Sequence, residues 1–171
     1  LSYNEEPYLL QSLVRSVSSV VNGTGFDWIY DSNTSGPDTV KTLTVETGSS
    51  QRAGKFAYGL VNGLTYKFSR TNVTKSGSML GQLFTDDVSL SGSPTTVALV
   101  PVVPNQVDVY IAYSAAGLAG ASALNRALST EIGISNRFGP VWALRSTAPS
   151  FAAHVEVEPK VTAKLTVAAD D

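Results

Sequence analysis

The first apolar positions recur at helical spacing: Leu9, Leu10, Leu13, Val14 and Val17 are separated by Gln11, Ser12, Arg15 and Ser16, the three-and-four periodicity of an amphipathic helix. Ahead of them, Asn4 suits the cap position. Glu5, Glu6 and Pro7 suit a first turn whose N–H groups lack partners and whose dipole end is positive. A short helix is therefore predicted. Residues 22–37 are rich in Gly, Ser, Asn and Asp around an aromatic island of Phe26, Trp28 and Tyr30, which reads as a loop around a short strand.

Further on the period changes to two. Phe56, Tyr58 and Leu60, then Leu64, Tyr66 and Phe68, flank Val61-Asn62-Gly63. A three-residue turn with Gly63 left-handed sets Leu60 opposite Leu64, Tyr58 opposite Tyr66 and Phe56 opposite Phe68, collecting the large side chains on one face. A two-residue Asn62-Gly63 turn would scatter them over both faces. The same logic predicts a second hairpin, in which Phe151, Ala153, Val155 and Val157 meet Val161, Ala163, Leu165 and Val167 across Glu158, Pro159 and Lys160. Strands are also expected over 39–46, 97–103 and 107–113. A second helix is expected from about Ser122, with Leu124, Ala127, Leu128 and Ile132 on one face and Gly133 as its stop. This pattern predicts a mainly β fold: a β-sandwich or partly closed barrel with one or two short flanking helices.

A chain of 171 residues is long enough to bury a core without disulfides or metals. The expectation is a single domain over 1–171 that can be part of a longer chain. Cysteine is absent, which excludes thiolate catalysis, cysteine-held clusters and a disulfide framework. Twelve Lys and Arg against fourteen Asp and Glu give a net charge of −2, so no general basic charge is available for tight nucleic-acid binding. The longest apolar run, 97–103, is interrupted by Pro101 and falls short of the ~20 residues a bilayer requires. No membrane partner is expected, and the start carries no secretory-signal pattern.

No catalytic, cofactor or metal site is expected. His154 is the single imidazole, no nucleophile-elbow sequence accompanies it, and it reads as a surface residue. Asp86-Asp87 and Asp170-Asp171 are adjacent pairs, and neighbours in a strand point to opposite faces. Asp27, Asp31 and Asp38 lack the Gly and closing Glu of a calcium loop. These acids read as solvated loop charges. Sequons at Asn22, Asn33 and Asn72 mark segments expected to be exposed.

Residues 71–84 read as a long loop with more apolar groups than solvent accounts for. Gly77 and Gly81 supply freedom, Met79, Leu80, Leu83 and Phe84 supply apolar surface, and Lys75 and Gln82 suit a polar rim. An interface between subunits is the expected use.

Several of these features occur in an informative order: Glu6-Pro7-Tyr8-Leu9-Leu10, Trp28, Leu43-Thr44-Val45-Glu46, the Asn62-Gly63 region, Ser76-Gly77-Ser78-Met79-Leu80-Gly81, Ile134-Ser135-Asn136 and Pro140-Val141-Trp142. Together they resemble the major tail tube protein of long-tailed, non-contractile bacteriophages, over most of the chain. The resemblance implies a structural virion protein, assembled in the bacterial host cytoplasm and residing in the virion tail. Its β-sandwich subunits would form hexameric rings, or trimeric rings with pseudo-sixfold walls if 151–171 opens a second tube-like half. Stacked rings would enclose a channel for DNA that passes without specific binding, with tape-measure and tail-terminator proteins as further partners. An acidic wall is expected to repel a polyanion. The competing reading is a carbohydrate-binding or adhesive β-sandwich module using Trp28, Tyr30 and Trp142 as a stacking platform.

Overall fold

A 3-10 turn at Tyr3–Glu5 runs into helix α1 (Glu6–Leu13); the computed structural model describes residues 3–31, 33, 35–92, 96–144 and 150–169. The strands are β1 (Val20–Asn22), β2 (Gly25–Asp27), β3 (Leu43–Gly48), β4 (Ala53–Ser69), β5 (Val73–Leu80) and β6 (Leu83–Thr85). After the four-residue helix α2 (Ala115–Leu118) come β7 (Ala127–Ser135), β8 (Phe138–Val141), β9 (Ala153–Glu156) and β10 (Lys160–Val167). The fold is mainly β with two short helices.

Strand β4 organises the chain. Its first half pairs with β3 and β6, and its second half with β5 and β7, all antiparallel. Strand β10 adds to β7, giving the order β10-β7-β4-β3 with β5 and β6 also on β4. β1–β2 and β8–β9 are separate two-stranded sheets. No barrel closes among the described residues: beside the second half of β4 the sheet runs β5-β4-β7-β10, and β5 and β10 do not pair with each other.

The predicted hairpin at Asn62-Gly63 is corrected: both alternating runs belong to the one 17-residue strand. Even-numbered positions from Phe56 to Phe68 share a face in a straight strand as well as in a three-residue-loop hairpin, so alternation did not separate the two, and the Asn-Gly pair suggested a turn. Instead the pair forms a bulge, where the register with β5 steps from Val61↔Met79 to Gly63↔Ser78. One extra residue reverses which face each later side chain occupies. Val61 therefore joins Leu64 under the helix.

The bulge disrupts the local ladder, and the helix supplies a partner: the Val61 N–H donates to the Ser12 hydroxyl at 3.0 Å, with both residues buried. Asn62 is anchored from outside, its Oδ1 accepting from the Phe138 N–H at 2.7 Å and its carbonyl from the Arg137 N–H at 3.2 Å. Leu13, Val61 and Leu64 form the core, with Leu9, Leu10, Tyr66, Met79 and Ile134 packed around it. Burying each such leucine or valine contributes about 1.5–3 kcal/mol.

Other expectations also change. The second hairpin does not form: β9 pairs with β8 and β10 with β7, so residues 157–159 connect two sheets. The helix expected from Ser122 is replaced by β7, with Gly133 inside the strand opposite Thr65 and Thr162. Leu128, Thr130, Ile132 and Ile134 alternate there, and β-branched side chains favour the pleated surface. Residues 97–103 and 107–113 form no named strand; among the described pairings, Tyr110↔Ala123 is a single bridge. The strand expected over 39–46 begins at Leu43. Asn4 does not cap α1 with its side chain, which donates to the Ala98 carbonyl at 2.6 Å, and Glu5 occupies the cap position.

Candidate functional site

The four-stranded part of the main sheet, β5-β4-β7-β10, has two unlike faces. Register places Thr74, Lys67, Glu131 and Lys164 in one cross-strand row, and Ser76, Thr65, Gly133 and Thr162 in the next. Ser69, Ser129 and Thr166 continue one end, and Ser78, Gly63, Ser135 and Lys160 the other. No apolar side chain interrupts this face. Lys67 Nζ lies 3.3 Å from Glu131 Oε2, both side chains about half exposed. A groove of about 320 Å³ runs beside this pair, reaching Asn72, Thr74, Ser129, Lys164 and Thr166. The two glycines keep the rows close: a Cβ on Gly133 would sit 3.2 Å from Thr65 Oγ1 and 3.1 Å from Thr162 Oγ1.

The opposite face carries Leu64, Tyr66 and Phe68 on β4, Ile132 and Ile134 on β7, and Val161, Ala163, Leu165 and Val167 on β10. Helix α1 covers its β4 side. Tyr66 donates to Glu6 Oε2 at 2.6 Å, and Lys75 reaches Glu6 Oε1 at 2.8 Å and Glu5 Oε2 at 3.4 Å. Burial first, then the hydrogen bond and charge of Glu6, hold the Tyr66 phenol well above its ordinary pKa. Burial and the same carboxylate raise Tyr30. Toward β10 the cover ends, leaving Ile132 43% and Val161 65% exposed. Beside Ile132, Leu10, Tyr66, Phe68, Val102 and Val107 line a cleft of about 490 Å³.

The segment expected to be an interface loop is not a loop. Residues 73–80 form β5 and 83–85 form β6, so both halves of β4 are paired by it. Lys75 is tied to the helix as above, and Met79 packs against the core. Leu80 stands opposite Leu60, and a Cβ on Gly77 would meet Leu64 Cδ2 at 2.7 Å. Gly81 lies against the Phe56 ring, and Gln82 Nε2 donates to the Phe151 carbonyl at 2.6 Å. Leu83 and Phe84 stay exposed. The glycines supply close approach rather than mobility.

His154, expected at the surface, is half-buried: its Nδ1 is 3.1 Å from the Tyr58 hydroxyl and its ring meets Phe138 edge-on at 5.3 Å. Tyr58 holds a left-handed backbone (φ 55), strained for a bulky residue. Asp38 is also corrected, from solvated charge to buried partner. Its side chain is 2% exposed and its Oδ2 lies 2.9 Å from Arg137 Nη2, which also approaches Glu156 at 3.4 Å. Asp86 pairs with Arg52, whose hydrogen bond holds the Asp86 carboxyl below its usual range. Asp170 and Asp171 lie outside the described residues.

Among the three proposed stacking aromatics, Trp142 is exposed with its edge on Phe151, while Tyr30 turns its hydroxyl inward to the Pro7 carbonyl at 3.2 Å. No group of three His, Asp or Glu able to hold a metal occurs among the described residues, and no helix there is long and apolar enough to cross a membrane. No protein-family model matches the sequence, and no curated protein matches it.

Proposed function

We propose that this chain is a structural subunit that associates with copies of itself into rings, hexameric or trimeric with pseudo-sixfold walls, stacked into a tube that conducts DNA, as in the tail of a non-contractile phage. The observation that carries the reading is the two-faced sheet. A face built wholly of hydroxyl, amine, carboxylate and glycine positions suits a permanently wet wall, and it is the side assigned here to the channel. The apolar face and the exposed Leu83 and Phe84 then suit contacts between the sheet's own chain and its neighbours, completing a sandwich-like wall.

Surface area supports assembly. A compact monomer of 18.0 kDa is expected to expose about 8,000 Å², whereas this chain exposes 12066 Å². The excess of roughly 4,000 Å² equals several standard contact faces of about 800 Å² each. A glycan platform on Trp28, Tyr30 and Trp142 has less support, because Tyr30 is turned in. Negative-stain microscopy and sedimentation of the purified chain test the proposal. Rings or tubes of constant diameter are expected; monodisperse monomers at every concentration would refute it, and glycan binding by those monomers would favour the adhesive reading.

A further inference from the structure

The hydrophilic face also divides the charge of the chain. Lys67, Lys160 and Lys164 against Glu131 leave it at +2, so with −2 for the whole chain the remaining residues carry −4. This face is therefore basic although the chain as a whole is acidic. Lys67 and Lys164 stand on the two strands either side of Glu131, in the same row, and Lys67 already contacts the carboxylate at 3.3 Å. Along the groove the neighbours are Thr74, Ser129 and Thr166. Ammonium and hydroxyl groups both donate to phosphate oxygens, whereas an ionised carboxylate accepts only and repels them.

We propose that this face meets the phosphodiester backbone of nucleic acid through Lys67 and Lys164, and that Glu131 sets how weakly it does so. The proposal deepens the tube reading, on which its setting as a channel wall rests. A lysine already paired to a carboxylate offers a passing phosphate an exchange of partners, not a new ion pair. The net attraction at Lys67 is small, Glu131 opposes a phosphate beside Lys164 through its charge in the same row, and a polyanion is released as readily as it is met. Without the carboxylate, two donors in one row face each phosphate unopposed, and repetition around a ring would turn a sliding surface into a holding one.

The test measures fluorescence anisotropy of a labelled DNA duplex against the full chain, held below its assembly concentration, across a salt series. Wild type is expected to bind weakly with a shallow salt dependence. Glu131→Gln is expected to bind about tenfold tighter at low salt and to steepen the log–log salt slope by about 0.9 for each phosphate that a released lysine neutralises. Glu158→Gln, which removes the same charge at an exposed position off the sheet, is expected to match wild type. Lys164→Glu, on the exposed strand β10, is expected to abolish the residual wild-type binding. Adding Lys67→Gln and Lys164→Gln to Glu131→Gln is expected to return binding to the wild-type level or below. Equal binding by wild type and a folded Glu131→Gln chain would overturn the proposal, as would an equal tightening by Glu158→Gln. Because binding is read on unassembled protein, tubes without the Glu131 effect sink this proposal alone, and the effect without tubes sinks the tube reading alone.

Discussion

Replacing Arg137 by Met keeps most of the side chain's bulk and removes its charge, leaving Asp38 buried opposite an apolar group. Arg137 joins four segments: Nε donates to the Leu13 carbonyl at the end of α1, Nη2 reaches Asp38 and Glu156, and the guanidinium lies 5.4 Å from the Phe138 ring centroid. Its side chain is 8% exposed and that of Asp38 2%, so neither charge regains much hydration when the other is lost. Breaking a buried pair by removing one partner costs about 3–5 kcal/mol, a large share of a domain stability of about 5–15 kcal/mol. For a chain of this size each kcal/mol moves Tm by about 2–4 °C, so a fall of roughly 6–20 °C is expected by circular dichroism. The companion Asp38→Asn should recover part of the loss in the double variant, because the buried carboxylate that has lost Arg137, and keeps Arg15 at 4.0 Å, is gone. High salt should leave the wild-type contribution nearly intact, since a buried pair is poorly screened. A Tm for Arg137→Met within a degree or two of wild type would refute the reasoning, as would full additivity of the two substitutions.

Two further substitutions probe the sheet and its helix. Ser12→Ala removes the acceptor for the bulge N–H of Val61 and is expected to cost about 1–3 kcal/mol for a buried donor left unpaired, read as a lowered urea midpoint with unchanged slope. Tyr66→Phe tests the raised phenol pKa. Up to about pH 10 both folded and unfolded phenols are protonated; above it the unfolded phenol ionises first, the unfolded state binds fewer protons, and stability falls as pH rises. Melting curves from about pH 8 to about pH 11 should show a shallower alkaline decline in Tyr66→Phe than in wild type.

Local signals were legible where periodicity alone decides structure. The apolar spacing of Leu9, Leu10 and Leu13 located α1, although the same spacing carried the expectation on to Val17, four residues past its end; strand was read correctly over 43–46, and over 56–60 and 64–68 from alternation. Partner choice was not legible. Alternation states which side chains share a face, but whether Phe56–Leu60 folds back on Leu64–Phe68 depends on strands as distant as β7, whose arrival makes a bulge at Asn62-Gly63 better than a turn. The amphipathic sheet was equally out of reach, because Lys67, Glu131 and Lys164 are scattered along the chain and only the register of three strands aligns them. Nothing local marks Arg137 or Asp38 as buried: one stands between Asn136 and Phe138, the other between Pro37 and Thr39, with no periodic pattern that assigns either a face. The apolar excess over 71–84 does call for a partner surface, and much of that surface is β4 of the same chain.

A strand that takes neighbours from residues 43 to 135 has a consequence for synthesis. β3, β4, β5 and β6 are complete once Thr85 has emerged, but the second edge of Leu64–Ser69 stays unpaired until β7 follows. Fifty-eight positions separate Ser69 from Ala127; at about 5–20 residues per second the ribosome needs roughly 3–12 s to cover them. During that interval a nascent chain presents an open strand with Leu64, Tyr66 and Phe68 beside it, a template for pairing with another nascent chain. Helix α1, made first, is already available to cover that apolar row. Its position ahead of the strands gives the growing chain an early shield, and a chain lacking it would be expected to aggregate cotranslationally before β7 is made.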